Sequence, residues 1–263
     1  MSESNALGEK DFSTVTETSN HGVTELALSM LYTRYVYAAG FCEGKNVLEV
    51  ACGAGHGLGY VAKRARQVIG GDFTTNLLRQ AQVASARLVP LVRLDAQDLP
   101  FHALSFDVVL LYEAIYYLAR PEQFLDECRR VLRPNGLLVL CTVNPEWSDF
   151  NPSPLSTRYF SATELSELLV RRGFRVQLQG GFPVTRASLI EGAISLLKCV
   201  AIALHLIPRT MQGKEFLKRI FFGRLVRLPS QVQEGIAPYL APTPLSPSSR
   251  TENYKVIFAL AYA

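Results

Sequence analysis

Val47-Leu48-Glu49-Val50-Ala51-Cys52-Gly53-Ala54-Gly55-His56-Gly57-Leu58-Gly59 decides the reading of this chain. An apolar strand carrying a single carboxylate, Glu49, runs straight into a glycine-rich turn. Residues without a Cβ let the main chain bend and approach a ligand, so a strand that ends on glycines and reopens as a helix turns backbone N–H groups toward a nucleotide. Spacing then separates the nucleotide classes. The dinucleotide fingerprint G-x-G-x-x-G/A needs a small third residue where the helix packs on the strand. Gly53 and Gly55 fill the first two positions, but the third falls on Leu58, which argues against a nicotinamide-dependent oxidoreductase. Glu49 also stands inside the strand, where a dinucleotide fold usually has an apolar residue.

Read as hydrophobic, acidic, hydrophobic and then small residues and glycines, the stretch resembles the first motif of the class I S-adenosylmethionine-dependent methyltransferases. Ala51 stands where that motif's first glycine is expected. The resemblance continues in register. Val68-Ile69-Gly70-Gly71-Asp72 reads as a second strand ending in an acid, at about the ~20-residue offset that grips a ribose diol. Leu91 to Phe101, with Asp95-Ala96 inside it, looks like the segment after the third strand. Phe106-Asp107-Val108-Val109-Leu110-Leu111-Tyr112-Glu113 resembles the fourth strand, and Pro121 to Pro134 the helix and turn before the fifth. The resemblance covers roughly residues 45 to 180 and the last strand.

Length and composition agree. A chain of 263 residues with 48% hydrophobic content has ample material for a core. Its five cysteines show no C-x-x-C pair and no zinc-type histidine spacing, so they read as small apolar residues in a reducing cytoplasm. Residues 1 to 20 are polar, carry no signal-peptide core and are expected to be disordered.

A helix is expected from about Val23 to Phe41, then strands near 45–51, 67–71, 89–94, 106–112, 136–143, 174–179 and 254–262, with helices between the first five. Buried Val/Leu-rich strands alternating with helices imply an α/β, Rossmann-like, doubly wound sheet with its ligand at the carboxyl ends of the strands. The resemblance makes this sheet seven-stranded, mostly parallel, with an antiparallel last strand. Ser161-Ala162-Thr163-Glu164 is a capping box that opens a helix closed by Gly173. The organisation expected is a core over residues 21–180, an inserted helical and loop cap over 181–253, and a final strand over 254–263.

Within that insertion, Ala187 to Leu206 is apolar, but Glu191, Lys198 and His205 recur at intervals of seven, which describes an amphipathic helix better than a membrane span. It reads as a cap packed on the core or on a second copy in a homodimer. Beyond it, Arg209, Lys214, Lys218, Arg219, Arg224 and Arg227 stand against the single acid Glu215, whereas the whole chain carries only +4. Interleaved with aromatic and aliphatic residues, this cluster suits a peripheral membrane contact, an acidic group on a substrate, or simple solvation. Five prolines between Pro229 and Pro247 imply an extended return to the last strand.

The resemblance assigns the roles. Ala51, Gly53 and Gly55 hold the methionine part of S-adenosylmethionine, and Glu49 orders the loop. Asp72 accepts both ribose hydroxyls, a role that competes with helix N-capping. Phe73 and Ala96 flank the adenine and Asp95 accepts from its amino group. Tyr112 lies beside the sulfonium, and Arg34, on the first helix with Tyr32, Tyr35 and Tyr37, pairs with the cofactor carboxylate or stays a surface charge. Glu113 is the candidate base, if burial raises its pKa, with Tyr116 beside it where many relatives carry a histidine pair. Tyr112-Glu113-Ala114-Ile115 is not the tetrapeptide used on nucleobase amines, and no stacking platform accompanies the basic cluster, so nucleic acid is not an expected partner. The loop Trp147 to Pro154 suits a small-molecule acceptor, with a sugar or nucleotide-linked sugar methylated at oxygen as the first expectation and a membrane-peripheral lipid or quinone as the second. A cofactor-binding protein without catalysis is a third reading.

Overall fold

The computed structural model describes residues 11–19, 21–184, 225–246 and 249–263. In chain order these form β1 (Gly22–Val23), α1 (Glu25–Ala39), β2 (Asn46–Val50), α2 (Leu58–Ala62), β3 (Gln67–Asp72), α3 (Thr75–Ala84), β4 (Leu91–Arg93) and β5 (Phe106–Tyr112). They continue with α4 (Pro121–Val131), β6 (Leu132–Val143), α5 (Ala162–Arg171), β7 (Arg175–Pro183), β8 (Val226–Arg227), β9 (Thr243–Pro244) and β10 (Tyr254–Tyr262).

The main sheet runs β4-β3-β2-β5-β6-β10-β7-β9. Strands β2 to β6 pair in parallel, and β10 lies antiparallel between β6 and β7. The expected seven strands are therefore present, and the two-residue β9 adds an eighth at the edge. A central strand covered on both faces needs apolar residues throughout, and Leu48, Val109, Leu110, Leu111, Leu138 and Leu140 are fully buried. Glu49 is the exception in β2, a carboxylate residue only 2% exposed.

Local chemistry sets the element ends. The Thr24 side chain accepts from Ala27 N to open α1, and Ser161 and Glu164 form the reciprocal capping box that opens α5. Helix α1 buries Tyr32, Tyr35 and Ala38, while Ala27, Met30, Leu31 and Arg34, at i, i+3, i+4 and i+7, form a second stripe.

One expectation on organisation changes. Residues 11–19 are not a disordered tail: Asp11 caps the turn Phe12–Thr14, Phe12 N donates to Thr74 Oγ1, and the Phe12 ring sits edge-on to Phe73. Residues 225–246 form the extended return to the last strand as a strap on the core, where β8 pairs with β1 and Glu234 accepts from the Tyr32 and Tyr60 hydroxyls at 2.7 Å each. The apolar stretch 187–206 and the basic cluster up to Arg224 lie outside the described residues. No helix among the described residues is long and apolar enough to cross a membrane.

Candidate active site

The glycine loop begins where β2 stops. Ala51 and Gly53 both take left-handed backbone, at φ +56 and +55. For Ala51 that conformation carries a cost of about 1 kcal/mol, so a glycine would sit there with less strain. Gly53 N donates to Asp72 Oδ2 and Thr74 N to Asp72 Oδ1, both at 2.8 Å. Asp72 thus ties the loop to the start of α3. Burial raises its pKa, and the backbone N–H groups of Thr74 and Gly53 oppose that shift. Each oxygen keeps a second lone pair, so the carboxylate can still receive a diol.

At the end of β2, Glu49 Oε1 accepts from the Tyr35 hydroxyl at 2.6 Å, and Oε2 has no partner among the described residues. Burial pushes the Glu49 carboxyl up to about 7, against the pull of the Tyr35 hydrogen bond. An orphaned buried oxygen is costly, and a donor from a ligand would relieve it.

Around the loop opens a cavity of about 760 Å³. Phe73, Asp95 and Ala96 line part of it, with Asp95 Oδ1 fixed by Gln97 N at 2.9 Å. Toward α1 stand Tyr112 and Glu113. The Tyr112 ring sits edge-on to Tyr35 at 5.5 Å, and burial pushes its phenol well above the usual tyrosine range. Glu113 takes left-handed backbone at φ +50, and its carboxylate accepts from Arg34 Nη2 at 3.0 Å, Tyr116 Oη at 3.2 Å and Val143 N at 3.1 Å. Three donors hold this carboxylate as a structural tie between α1, β6 and the turn after β5. These contacts engage the carboxylate that the sequence reading offered as the base. Arg34 correspondingly faces Glu113 rather than the surface. Tyr116 stacks on Tyr159 at 4.6 Å, and burial pushes its phenol well above the usual range, so it is no ready base either.

Every nominated residue lines this cavity except Gly55. Gly55, at φ +74, packs on α3, where an added Cβ would come within 2.7 Å of the Ala81 Cβ. Its glycine serves helix packing rather than ligand contact. The loop after β6 does reach the cavity, through Trp147 and Ser153; the Trp147 indole N–H has no partner among the described residues, and Lys255 Nζ sits 5.1 Å above its ring. Missing from the sequence reading were the α1 stripe, Phe12 and Thr16 from the amino-terminal segment, and Leu228 and Val256 from the strap and β10. The i, i+3, i+4, i+7 spacing on α1 was a signal that could have found the first; no local pattern marks the others.

The arrangement fits a nucleoside carrying an amino-acid tail. It offers a diol acceptor at Asp72, a backbone cradle at 51–53, and an unsatisfied buried acceptor at Glu49 near the loop. Among the described residues, no His/Cys/Asp/Glu group could hold a metal ion.

Comparison with known proteins agrees with this geometry. A methyltransferase domain model matches residues 48–140. A probable S-adenosylmethionine-dependent methyltransferase of Mycolicibacterium smegmatis is 37% identical over 142 residues, covering 52% of this chain and 54% of the relative. Phthiotriol/phenolphthiotriol dimycocerosates methyltransferase 1 of Mycobacterium ulcerans is 37% identical over 141 residues, covering 49% and 50%. The chain thus spans about half the length of the curated relatives it matches. The crystal structure of an S-adenosylmethionine-dependent methyltransferase from Thermotoga maritima, described as a possible histamine N-methyltransferase, superposes with a TM-score of 0.58 over 90% of this chain and 91% of its own, at 14% identity, and so supports the fold alone. The match to a methyltransferase domain over residues 48–140, the strand order and the glycine loop together make this part of the chain similar to the class I S-adenosylmethionine-dependent methyltransferases.

Proposed function

We propose that this protein transfers a methyl group from S-adenosylmethionine to an apolar or amphipathic small molecule. The observation that carries the acceptor class is the apolar part of the cavity lining. There Leu26, Ala27, Met30 and Leu31 from α1 join a lining that includes Val143, Leu228 and Val256. A sugar needs hydrogen-bonding partners for each hydroxyl it buries, and this wall supplies few. The Mycobacterium ulcerans relative, named for its phthiotriol dimycocerosates, points the same way. The reading therefore moves from the sugar acceptor to the lipid-like one.

When bound, the cofactor supplies an activated methyl group on a sulfonium, and the displacement disperses its positive charge. The protein's part is alignment and dryness. Asp72 would hold the ribose, and Phe73, Ala96 and Asp95 would hold the adenine. The backbone of Ala51 to Gly53 and the carboxylate of Glu49 receive the methionine end. Arg34, held by Glu113, remains beside the acceptor end, and Tyr112 and Tyr116 exclude water there. The orphaned Trp147 N–H offers one donor for an acceptor oxygen.

The test is methyl uptake from labelled S-adenosylmethionine by a panel of long-chain fatty acids, polyprenyl quinols and nucleotide sugars. Label in the apolar acceptors alone is the expected result. Label confined to the nucleotide sugars would overturn the acceptor class and leave the donor site standing.

A further inference from the structure

Helix α2 starts without the group that normally starts a helix. Its N-cap residue is Gly57, which makes no side-chain capping hydrogen bond, and the helix is only five residues long. The first N–H groups of a helix have no partner within it and take one from a capping side chain, from water or from a ligand. Here the partner comes from the strap. Gln231 Oε1 accepts from Gly59 N at 3.0 Å, a contact spanning 172 positions of sequence. Its Nε2 donates to Gly55 O at 2.8 Å. One amide therefore grips residues 55 and 59 from outside, in both senses, across the turn that separates the cofactor loop from its helix.

The grip is reinforced between those two residues. Val232 N donates to His56 O at 2.7 Å. The His56 ring nitrogen Nδ1 lies 2.8 Å from Pro229 O. The strap thus holds the same turn through its backbone as well as through the Gln231 amide. Glycine-rich backbone loses the most conformational freedom when it is fixed, so a loop containing Gly53, Gly55, Gly57 and Gly59 depends on such outside contacts to hold one shape.

We infer that Gln231 is a positioning residue for cofactor binding: it caps α2 from a distant segment and thereby holds the glycine loop in its binding shape. The inference rests on the cofactor reading above. Gln231 does not line the cavity, so it acts through the loop backbone. A loop released from the clamp spends less time in the competent shape, and apparent affinity falls by that fraction.

The test is calorimetric titration with S-adenosylhomocysteine, alongside thermal unfolding, for the wild type, Gln231→Met and Glu234→Ala. Methionine keeps the length and packing of Gln231 but makes neither hydrogen bond. Glu234→Ala loosens the same strap at the Tyr32 and Tyr60 hydroxyls, side-chain contacts that leave both hydrogen bonds of Gln231 to the backbone of residues 55 and 59 in place. The expected result is affinity about tenfold weaker in Gln231→Met, the effect of losing two hydrogen bonds, with Glu234→Ala lowering the Tm at unchanged affinity. Unchanged affinity in Gln231→Met, or equal weakening in both variants, overturns the inference and leaves the cofactor reading intact. A folded wild type that binds no S-adenosylhomocysteine overturns the cofactor reading and the inference with it.

Discussion

The two ends of the cavity are built on different principles. At the end proposed for the donor, the lining groups are backbone and short acidic side chains at the carboxyl ends of β2, β3 and β4: Ala51, Gly53, Asp72 and Asp95. Each acid is fixed by a hydrogen bond within a few residues or to the neighbouring strand end, as Asp72 is to Thr74 and Gly53. At the acceptor end, the wall is assembled from α1, the turn after β5, the loop after β6, the strap and β10, and it is mostly apolar. Two pairs of its polar members hold one another, Arg34 on Glu113 and Tyr117 on Ser153. The lesson is that the proposed donor end is built by local geometry, whereas the proposed acceptor end is built by side chains that only the folded chain brings together.

That division can be broken most decisively at Asp72. Asp72→Ala removes a charged acceptor and frees two loop N–H groups, so calorimetry should show S-adenosylhomocysteine affinity falling by about a hundredfold or more. Retained affinity would erase the contrast between the two ends.

Glu49 gives the donor end a pH signature. Its folded-state carboxyl lies at about 7 against an ordinary value of 4.5. A raised carboxyl favours the folded state fully below its unfolded value, and that contribution is lost as pH rises toward the folded value. Unfolding free energy should therefore fall between those two pH values by up to about 3 kcal/mol. Glu49→Gln should flatten this segment of the profile, as urea unfolding at several pH values would show. A variant profile parallel to the wild type would place the carboxyl's titration elsewhere.

At the acceptor end, Glu113→Ala leaves Arg34 without its ion partner in a site where their side chains are 17% and 22% exposed. Chemical denaturation should show a loss of about 2 kcal/mol, below the full cost of a buried pair because water reaches part of both groups. S-adenosylhomocysteine affinity should stay within about threefold of wild type, a shift of under ~1 kcal/mol, since Glu113 belongs to the other end. Equal damage to cofactor affinity would merge the two ends into one site. The smallest effect is a gain: Ala51→Gly relieves left-handed backbone at φ +56. Some of that relief is spent on chain entropy, for a net of about 0.5 kcal/mol in stability, readable in the same denaturation experiment.

How much was legible in the sequence follows the same division. The strand positions and the residues that line the glycine-loop end of the cavity could be read because parallel strands leave continuous apolar runs and end in glycines and acids at regular spacing. Gly55 misled, since a glycine needed for packing on Ala81 has the same letter as one needed for ligand approach. Glu113 sat at the expected place with Tyr116 three residues on, but no local pattern announces Arg34 and Val143 N as its partners, because they come from α1 and β6. Phe12 lies in a polar segment, and its contacts with Phe73 and Tyr117 set it in place. The strap reads as a proline-rich return, which it is, yet the role of Gln231 depends on which loop it passes. The amphipathic and basic stretches ahead of it lie outside the described residues, and their readings stand as sequence expectations.

Whether the glycine loop and Asp72 form the donor site is decided by calorimetric titration of the wild type and Asp72→Ala with S-adenosylhomocysteine, with folding of both checked by circular dichroism. One site per chain with low-micromolar affinity is expected in the wild type, and no measurable binding in the variant. A folded wild type without binding, or a variant that binds as tightly, would contradict that assignment.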